Sequence, residues 1–314
     1  MQRRASTICL VGVFVCAVLT AAWLAVSPAQ ASELALTEVA PGVFVHQGRH
    51  VGVEDPARGD SANIGFIVGQ SCVAVVDTGG SLATGRALRA AIARTTTVPV
   101  CFVINTHAHF DHVLGNPAFA EDGRVRFVGH QLLPDALADS EAFFRKEFAP
   151  ETAGAPTPMF AREGVWVETE ASLDLGGRVL RLKAEPPAHS AADLTVFDEK
   201  TSTLWSGDLV FMERLPVLDG NLRSWLKWLA TTGTQGIARV VPGHGPASAP
   251  WPQALASERT YLEAVQAAAG KAAQDGEFLE DLTARAAEHP PANWQVTEPH
   301  ARNMARAFRE QEWN

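Results

Sequence analysis

The sequence predicts an α/β fold in four layers, helices outside two β-sheets, with a C-terminal helical extension. Three observations carry this expectation. Short β-rich apolar runs bounded by turn residues recur between residues 43 and 241; helical periodicity separates them in both halves; and residues 251–314 read as helices only. Composition agrees, because 46% hydrophobic and 19% charged residues supply enough apolar material for one large core or two small ones.

The first thirty residues are a different material. Arg3 and Arg4 precede a mostly apolar run over residues 8–26, and Ser27-Pro28-Ala29-Gln30-Ala31 ends in a small-x-small pattern. Residues 1–31 therefore read as a cleaved export signal, which makes the protein periplasmic or secreted. The apolar run is also long enough to span a bilayer, so an uncleaved anchor is the alternative, and only then is a membrane a partner. The arginine pair raises twin-arginine export, although Ala5-Ser6-Thr7 lacks the apolar residues that usually follow it. Removing residues 1–31 takes away two arginines and no acid, which moves the formal charge from −9 to about −11. With no basic stripe, nucleic acid is excluded as a partner and a small molecule is expected instead.

The main domain is expected over residues 32–250, with residues 251–314 packed on it. Strand-like runs at residues 43–45, 63–68 and 72–76 open a sheet, and the loop over residues 46–62 is too long for a hairpin turn and suits a cover over a site. Residues 82–94 place Leu88, Ala91 and Ile92 on one helical face, and residues 98–104 follow as a short strand ending at Asn105-Thr106. Strand, helix, strand implies a crossover, and the end of such a strand is where open α/β sheets place their chemistry. A helix is predicted at 132–148 and a proline-bearing loop at 149–163. Further strands are predicted at 165–168, 178–183, 194–197, 203–205 and 239–241, and helices at 222–232, 252–273, 278–287 and 300–310. Trp225 and Trp228, at helical spacing, read as core. Cys72 and Cys101 lie in apolar strand-like runs, where two buried thiols and a disulfide both fit.

The chemistry concentrates in Asn105-Thr106-His107-Ala108-His109-Phe110-Asp111-His112, which puts four potential metal ligands within six residues. Neutral imidazoles and carboxylates suit zinc or a similar first-row ion. His107 and His109 can serve one ion while Asp111 and His112 turn towards a second, and two ligands each is too few, so more must come from downstream. His189 in Pro187-Ala188-His189-Ser190, Asp208 in Ser206-Gly207-Asp208 and His244 in Pro242-Gly243-His244-Gly245 stand near predicted strand ends with small neighbours. Each alone reads as a structural residue.

Together, in this order, the seven positions resemble the metallo-β-lactamase superfamily over about residues 36–246. The resemblance implies an αββα sandwich in which His107, His109 and His189 hold the first metal, Asp111, His112 and His244 the second, and Asp208 bridges. It implies two Zn2+, with Fe or Mn as other occupants, and Asp77 in Val76-Asp77-Thr78-Gly79 as the acid that orients a ligating imidazole. Helix capping is the other role open to Asp77. Two divalent ions less Asp111, Asp208 and a bridging hydroxide leave about one positive charge for anionic transition states. The expected reaction is hydrolysis at a carbonyl centre (ester, thioester, lactone or lactam) or a phosphoryl centre, with Asp111 moving a proton.

Departures from subfamily patterns narrow the choice. True lactamases of the cysteine type carry Cys where Asp208 stands, oxygen-reducing flavodiiron relatives carry Glu in place of His109, and glyoxalase II thioesterases surround the third ligand differently from Ala188-His189-Ser190-Ala191-Ala192. Quorum-quenching lactonases use a tyrosine near the metals, and the one tyrosine here, Tyr261, falls in the helical extension. Stretches such as Val75-Val76-Asp77-Thr78-Gly79-Gly80 and Leu215-Pro216-Val217-Leu218-Asp219-Gly220 resemble the exported quinoprotein relay system zinc metallohydrolases, related to a hydrolase of sulfur-oxidation clusters. That resemblance implies a functional link to periplasmic quinoprotein dehydrogenases. His130 and Arg214 are further candidates for substrate contact, read otherwise as a residue of a helix start and a solvated guanidinium. Two readings from other classes stay open: a mono-iron oxidoreductase like the persulfide dioxygenases, which share the motif, and a non-catalytic periplasmic metal-binding accessory factor.

Overall fold

The computed structural model describes residues 33–121, 123–233 and 236–312; the export signal expected over residues 1–31 lies outside the described residues. In chain order, β1 (Thr37–Ala40), β2 (Val43–His46), β3 (Ile64–Val68) and β4 (Val73–Val76) precede α1 (Leu82–Thr95) and β5 (Val100–Ile104). Two single-turn helices, α2 (Phe110–Val113) and α3 (Pro117–Ala120), lead to β6 (Arg126–His130), α4 (Leu133–Glu147) and β7 (Gly164–Val167). The second half runs β8 (Glu170–Asp174), β9 (Val179–Ala184), β10 (Leu194–Asp198), β11 (Thr203–Phe211), α5 (Leu222–Thr231), β12 (Arg239–His244) and β13 (Ala249–Pro250). It ends in α6 (Ala256–Gln274), α7 (Leu279–Glu288) and α8 (Pro299–Glu312).

Seven strands form one sheet in the order β1 to β7, and six form the other in the order β13-β12-β11-β10-β9-β8. Successive strand residues point to opposite faces, and here both faces are apolar. Val73 and Val75 pack with Leu88 and Ile92 of α1, whereas Ala74 and Val76 pack with Leu180, Leu182 and Val196 of the second sheet. The outer face of the second sheet, with Leu204, Val210 and Val240, meets Trp225 of α5, Leu262 of α6, Leu282 of α7 and Ala307 of α8. The layers are therefore helix, sheet, sheet, helix, and the terminal helices share the same core. Trp225 is wholly buried, a position where truncation to alanine costs about 3–5 kcal/mol.

A buried ion pair ties the two sheets. Arg178 donates to Asp198 from Nε (3.0 Å) and Nη2 (2.5 Å), and its Nη1 donates to two carbonyls of the first sheet, Pro41 in the β1–β2 turn (3.1 Å) and Val68 at the end of β3 (2.9 Å).

Four strands go beyond the sequence expectation: β1, β6, β8 and β13. β1 and β13 are short, β6 has only Phe127 and Val128 as adjacent apolar residues, and β8 exposes alternate residues at a sheet edge. The cysteines form a disulfide, with Cα atoms 5.6 Å apart, because the parallel pairing of Val73 with Val100 brings Cys72 and Cys101 side by side. Among the described residues, no helix is long and apolar enough to cross a membrane.

Candidate metal centre

All seven expected ligands collect at one edge of the two sheets. His107 and His109 follow β5, with His109 at the residue before α2; Asp111 and His112 lie in α2; His189 lies between β9 and β10; Asp208 is in β11; His244 ends β12. Side-chain amides lock the α2 turn, since Asn105 and Asn116 bond each other (2.7 Å) and Asn105 donates to the carbonyl of His112 (3.3 Å). In β11, Gly207 takes φ +51 where the register with β12 shifts, which turns Asp208 into the site.

The ligand atoms fall into two groups, His107, His109, His189 and Asp208, and Asp111, His112 and His244, each with its atoms within 4.8 Å of one another. Asp208 faces both groups. Its Oδ2 is 3.4 Å from His189 Nε2 and 3.4 Å from His244 Nε2, and its Oδ1 is 3.1 Å from His112 Nε2. Asp111 Oδ2 is 3.4 Å from His244 Nε2 and accepts from Ser61 Oγ at 2.9 Å.

Each of the five imidazoles spends one nitrogen outward and turns the other inward. His112 Nδ1 donates to Asp77 Oδ2 (2.8 Å), His189 Nδ1 to the carbonyl of Val217 (2.7 Å) and His244 Nδ1 to the carbonyl of Ser61 (2.8 Å). His107 Nδ1 meets Thr106 Oγ1 at 3.0 Å. His109 reverses the pattern: Nε2 faces Asp219 Oδ2 at 3.2 Å, and Nδ1 lies 2.8 Å from His189 Nε2. These outward bonds select the tautomer that leaves an inward lone pair, which is how bound metals use histidine.

The residues fit a metal pair. His107 Nε2, His112 Nε2 and Asp208 Oδ1 are buried with no hydrogen-bond partner among the described residues, although such atoms are costly to leave unpaired. Gly243 keeps the space beside Asp208 open, since a Cβ there would lie 1.9 Å from Asp208 Oδ1. Electrostatics agree. Burial holds His107 well below the ordinary imidazole value and His189 down to about 3, so both offer neutral lone pairs. Burial pushes Asp208 up, but His244, His112, His107 and His189 together outweigh it and hold the carboxyl well below its usual range. Burial lowers His112, yet Asp208, Asp77 and Asp111 raise it well above an ordinary imidazole. Buried carboxylates thus call for positive charge where His112 Nε2 points.

Asp77 takes the orienting position rather than the capping one. Ser81 caps α1, while Asp77, at φ +54 after β4, accepts from Thr106 N (2.8 Å), Thr106 Oγ1 (2.8 Å) and His112. His130 ends β6 and lies outside both ligand groups; its Nδ1 accepts from the backbone of Leu132 at 3.1 Å, a local role at the start of α4. Trp225 and Trp228 are core. The solvated reading of Arg214 is corrected: the residue is only 7% exposed, and its Nε and Nη1 have no hydrogen-bond partner among the described residues. A backbone bridge to Gln295 holds the turn that carries it, and its charge reaches Asp111, where burial raises the carboxyl and His112, His244 and Arg214 hold it down. Asp219 and Ser61 join the site without a local sequence signal, since the first follows the apolar stretch Leu215-Pro216-Val217-Leu218 and the second lies in the loop between β2 and β3.

A family model described as the metallo-beta-lactamase superfamily matches residues 57–244. The acyl-coenzyme A thioesterase MBLAC2 of Bos taurus is 26% identical over 219 residues, covering 59% of this chain and 74% of that protein. The stereoselective inverting sec-alkylsulfatase Pisa1 from Pseudomonas sp. superposes with a TM-score of 0.66 at 15% identity over 88% of this chain, which spans 50% of the sulfatase's length. A metallo-beta-lactamase from Pontibacter korlensis superposes with a TM-score of 0.57 at 20% identity, covering 73% of this chain and 99% of its own. The matched region begins before Asp77 and ends on His244, so it contains every candidate ligand described above, and the chain belongs to the metallo-beta-lactamase superfamily.

Proposed function

We propose that this chain is an exported, zinc-dependent dinuclear hydrolase acting on an anionic ester or thioester, with lactones, lactams and phosphoesters as related substrates. One observation carries the reading: seven side chains form two ligand groups that share the single carboxylate of Asp208. His107, His109 and His189 would hold the first ion, Asp111, His112 and His244 the second, with Asp208 between them. When bound, two divalent cations supply water activation near neutral pH and charge stabilisation for a developing oxyanion. Asp111 is the carboxylate placed to take a proton from the attacking water and pass it to the leaving group, and Ser61 fixes the oxygen that faces His244. His109, at 30% side-chain exposure, marks the open edge, whereas the other six ligands are at most 6% exposed. Arg214 supplies a buried cation beside Asp111 for an acidic group of the substrate.

The thioesterase relative supports testing thioesters first. The Cys72–Cys101 disulfide supports an oxidising compartment and so the export reading. The link to periplasmic quinoprotein dehydrogenases rests on the resembling stretches of sequence and forms part of the same proposal. Two ligand groups sharing a carboxylate favour this reading over a mono-iron oxidoreductase, which uses one, and over a metal store, which has no need of a proton-moving Asp111 beside an open edge. The test is a panel of acyl thioesters, esters, lactones, lactams and phosphodiesters, each in neutral and anionic form, with wild type and Asp208→Ala. The reading expects turnover of an anionic carbonyl substrate that the variant loses; a panel with no turnover, or turnover untouched by the substitution, overturns it.

A further inference from the structure

The segment from Leu215 to Asn221, between β11 and α5, is gripped from two sides. On the inner side it wraps the ligands of the first ion. The carbonyl of Val217 accepts from His189 Nδ1, Asp219 N and Gly220 N donate to the carbonyl of His189 (3.0 and 2.7 Å), and Asn221 N donates to the carbonyl of Ala188 (2.8 Å). Asp219 Oδ2 faces His109 Nε2. On the outer side the C-terminal helices hold the same segment. Asn303, fully buried in α8, accepts from Leu218 N (2.9 Å) and donates to the carbonyl of Pro216 (2.7 Å) and to Tyr261 Oη of α6 (2.9 Å). Arg302 Nη2 donates to Asp219 Oδ1, and Arg306 Nη2 lies 3.5 Å from the same oxygen.

We propose that the C-terminal helical extension is a working part of the metal centre: Arg302, Arg306 and Asn303 fix the 215–221 strap so that Asp219 and Val217 orient His109 and His189. The inference rests on the dinuclear reading above and adds a positioning function to helices that contribute no ligand. The physical reason is the reach of the carboxylate. Asp219 has two oxygens; one is taken by guanidinium groups, which leaves the other pointed at His109 with its orientation settled. An imidazole without that acceptor is free to rotate about χ2 and to exchange tautomers, and each such state lacks an inward Nδ1 lone pair. Val217 does the same for His189 through a backbone carbonyl, so its position depends on Asn303 holding Pro216 and Leu218 on either side.

The test titrates zinc into the full chain, freed of metal, against a chromophoric chelator, and records the visible spectrum of the cobalt-loaded protein. The variants are Asp219→Asn, Arg302→Ala/Arg306→Ala and Arg302→Lys/Arg306→Lys. Asp219→Asn is expected to weaken one of two zinc-binding events by about 10–100-fold and to leave the other near wild type, which is the usual cost of losing an outer-sphere partner. The double alanine variant is expected to weaken the same event by a smaller factor and shift the cobalt bands, and the double lysine variant to recover most of it. Equal affinities in wild type and the alanine variants overturn the proposal, as does equal weakening of both events or a lysine variant no better than alanine. Arg302 and Arg306 are about half exposed, so their variants decide the question if Asp219→Asn fails to fold. Zinc affinity is read without substrate: loss of a binding event with no hydrolysis anywhere fails the enzyme reading alone, whereas full hydrolysis with unchanged affinities fails this one alone.

Discussion

Replacing Asp77 with asparagine separates the orienting function of this side chain from its backbone position. Asp77 sits at φ +54, a region that aspartate and asparagine tolerate far better than other non-glycine residues, so the substitution leaves the turn after β4 almost unstrained. The carboxamide oxygen can keep the bond from Thr106 N, and Thr106 Oγ1 can rotate to accept rather than donate. His112 cannot adapt at equal cost. Its Nδ1–H would face an NH2 group, so the imidazole must either lose the bond or move its proton to Nε2, the atom 3.1 Å from Asp208 Oδ1 that would bind the proposed second ion. Losing one hydrogen bond to a charged group costs about 1.5–3 kcal/mol, or roughly 10–100-fold in affinity at 1.4 kcal/mol per decade. Chelator competition should therefore show one weakened zinc site in Asp77→Asn, with circular dichroism of the metal-free protein unchanged. Wild-type affinity at both sites in a normally folded variant would refute the orienting function.

Further outcomes follow from the buried charges. Arg214→Ala should lower kcat/KM for anionic substrates by about 10–100-fold, the value of a charge-assisted bond, with little effect on neutral analogues and no change in zinc content; equal losses for both substrate types would remove Arg214 from recognition. Arg178→Met should destabilise the fold by about 3–5 kcal/mol in denaturant titrations near pH 7, because it strands the carboxylate of Asp198 in the core. Burial pushes Asp198 up, but bonds from Arg178 and Thr201 outweigh it and hold its folded pKa below the ordinary value. That contribution is complete above the unfolded pKa and is lost as pH falls through the folded one, so the gap between wild type and variant should close on the acid side; a gap constant down to the acid transition contradicts the assignment.

What could be read from the sequence divides by how local the signal is. His107, His109, Asp111 and His112 announce themselves because four potential ligands crowd one strand end, and the alternation of apolar strands and helices suffices for the layer order. His189, Asp208 and His244 are legible only as a set, since each in isolation sits in an ordinary turn. The burial of Arg214 is not legible in the sequence, because the turn that carries it bridges Gln295, about eighty positions away. Asp219 lies in a stretch that carries the family resemblance, but its place in the site depends on Arg302, Arg306 and His109 meeting in space. The disulfide likewise depends on the parallel register of β4 and β5, which hydrophobic pattern does not specify.

The most direct measurement is a metal count on the purified full chain. Native mass spectrometry of the wild type after zinc loading should give two ions per chain, and Asp208→Ala, which removes the carboxylate facing both ligand groups, should retain at most one. A wild-type protein that holds a single iron, or an Asp208→Ala variant that keeps two tightly bound ions, would contradict a centre built around that shared carboxylate.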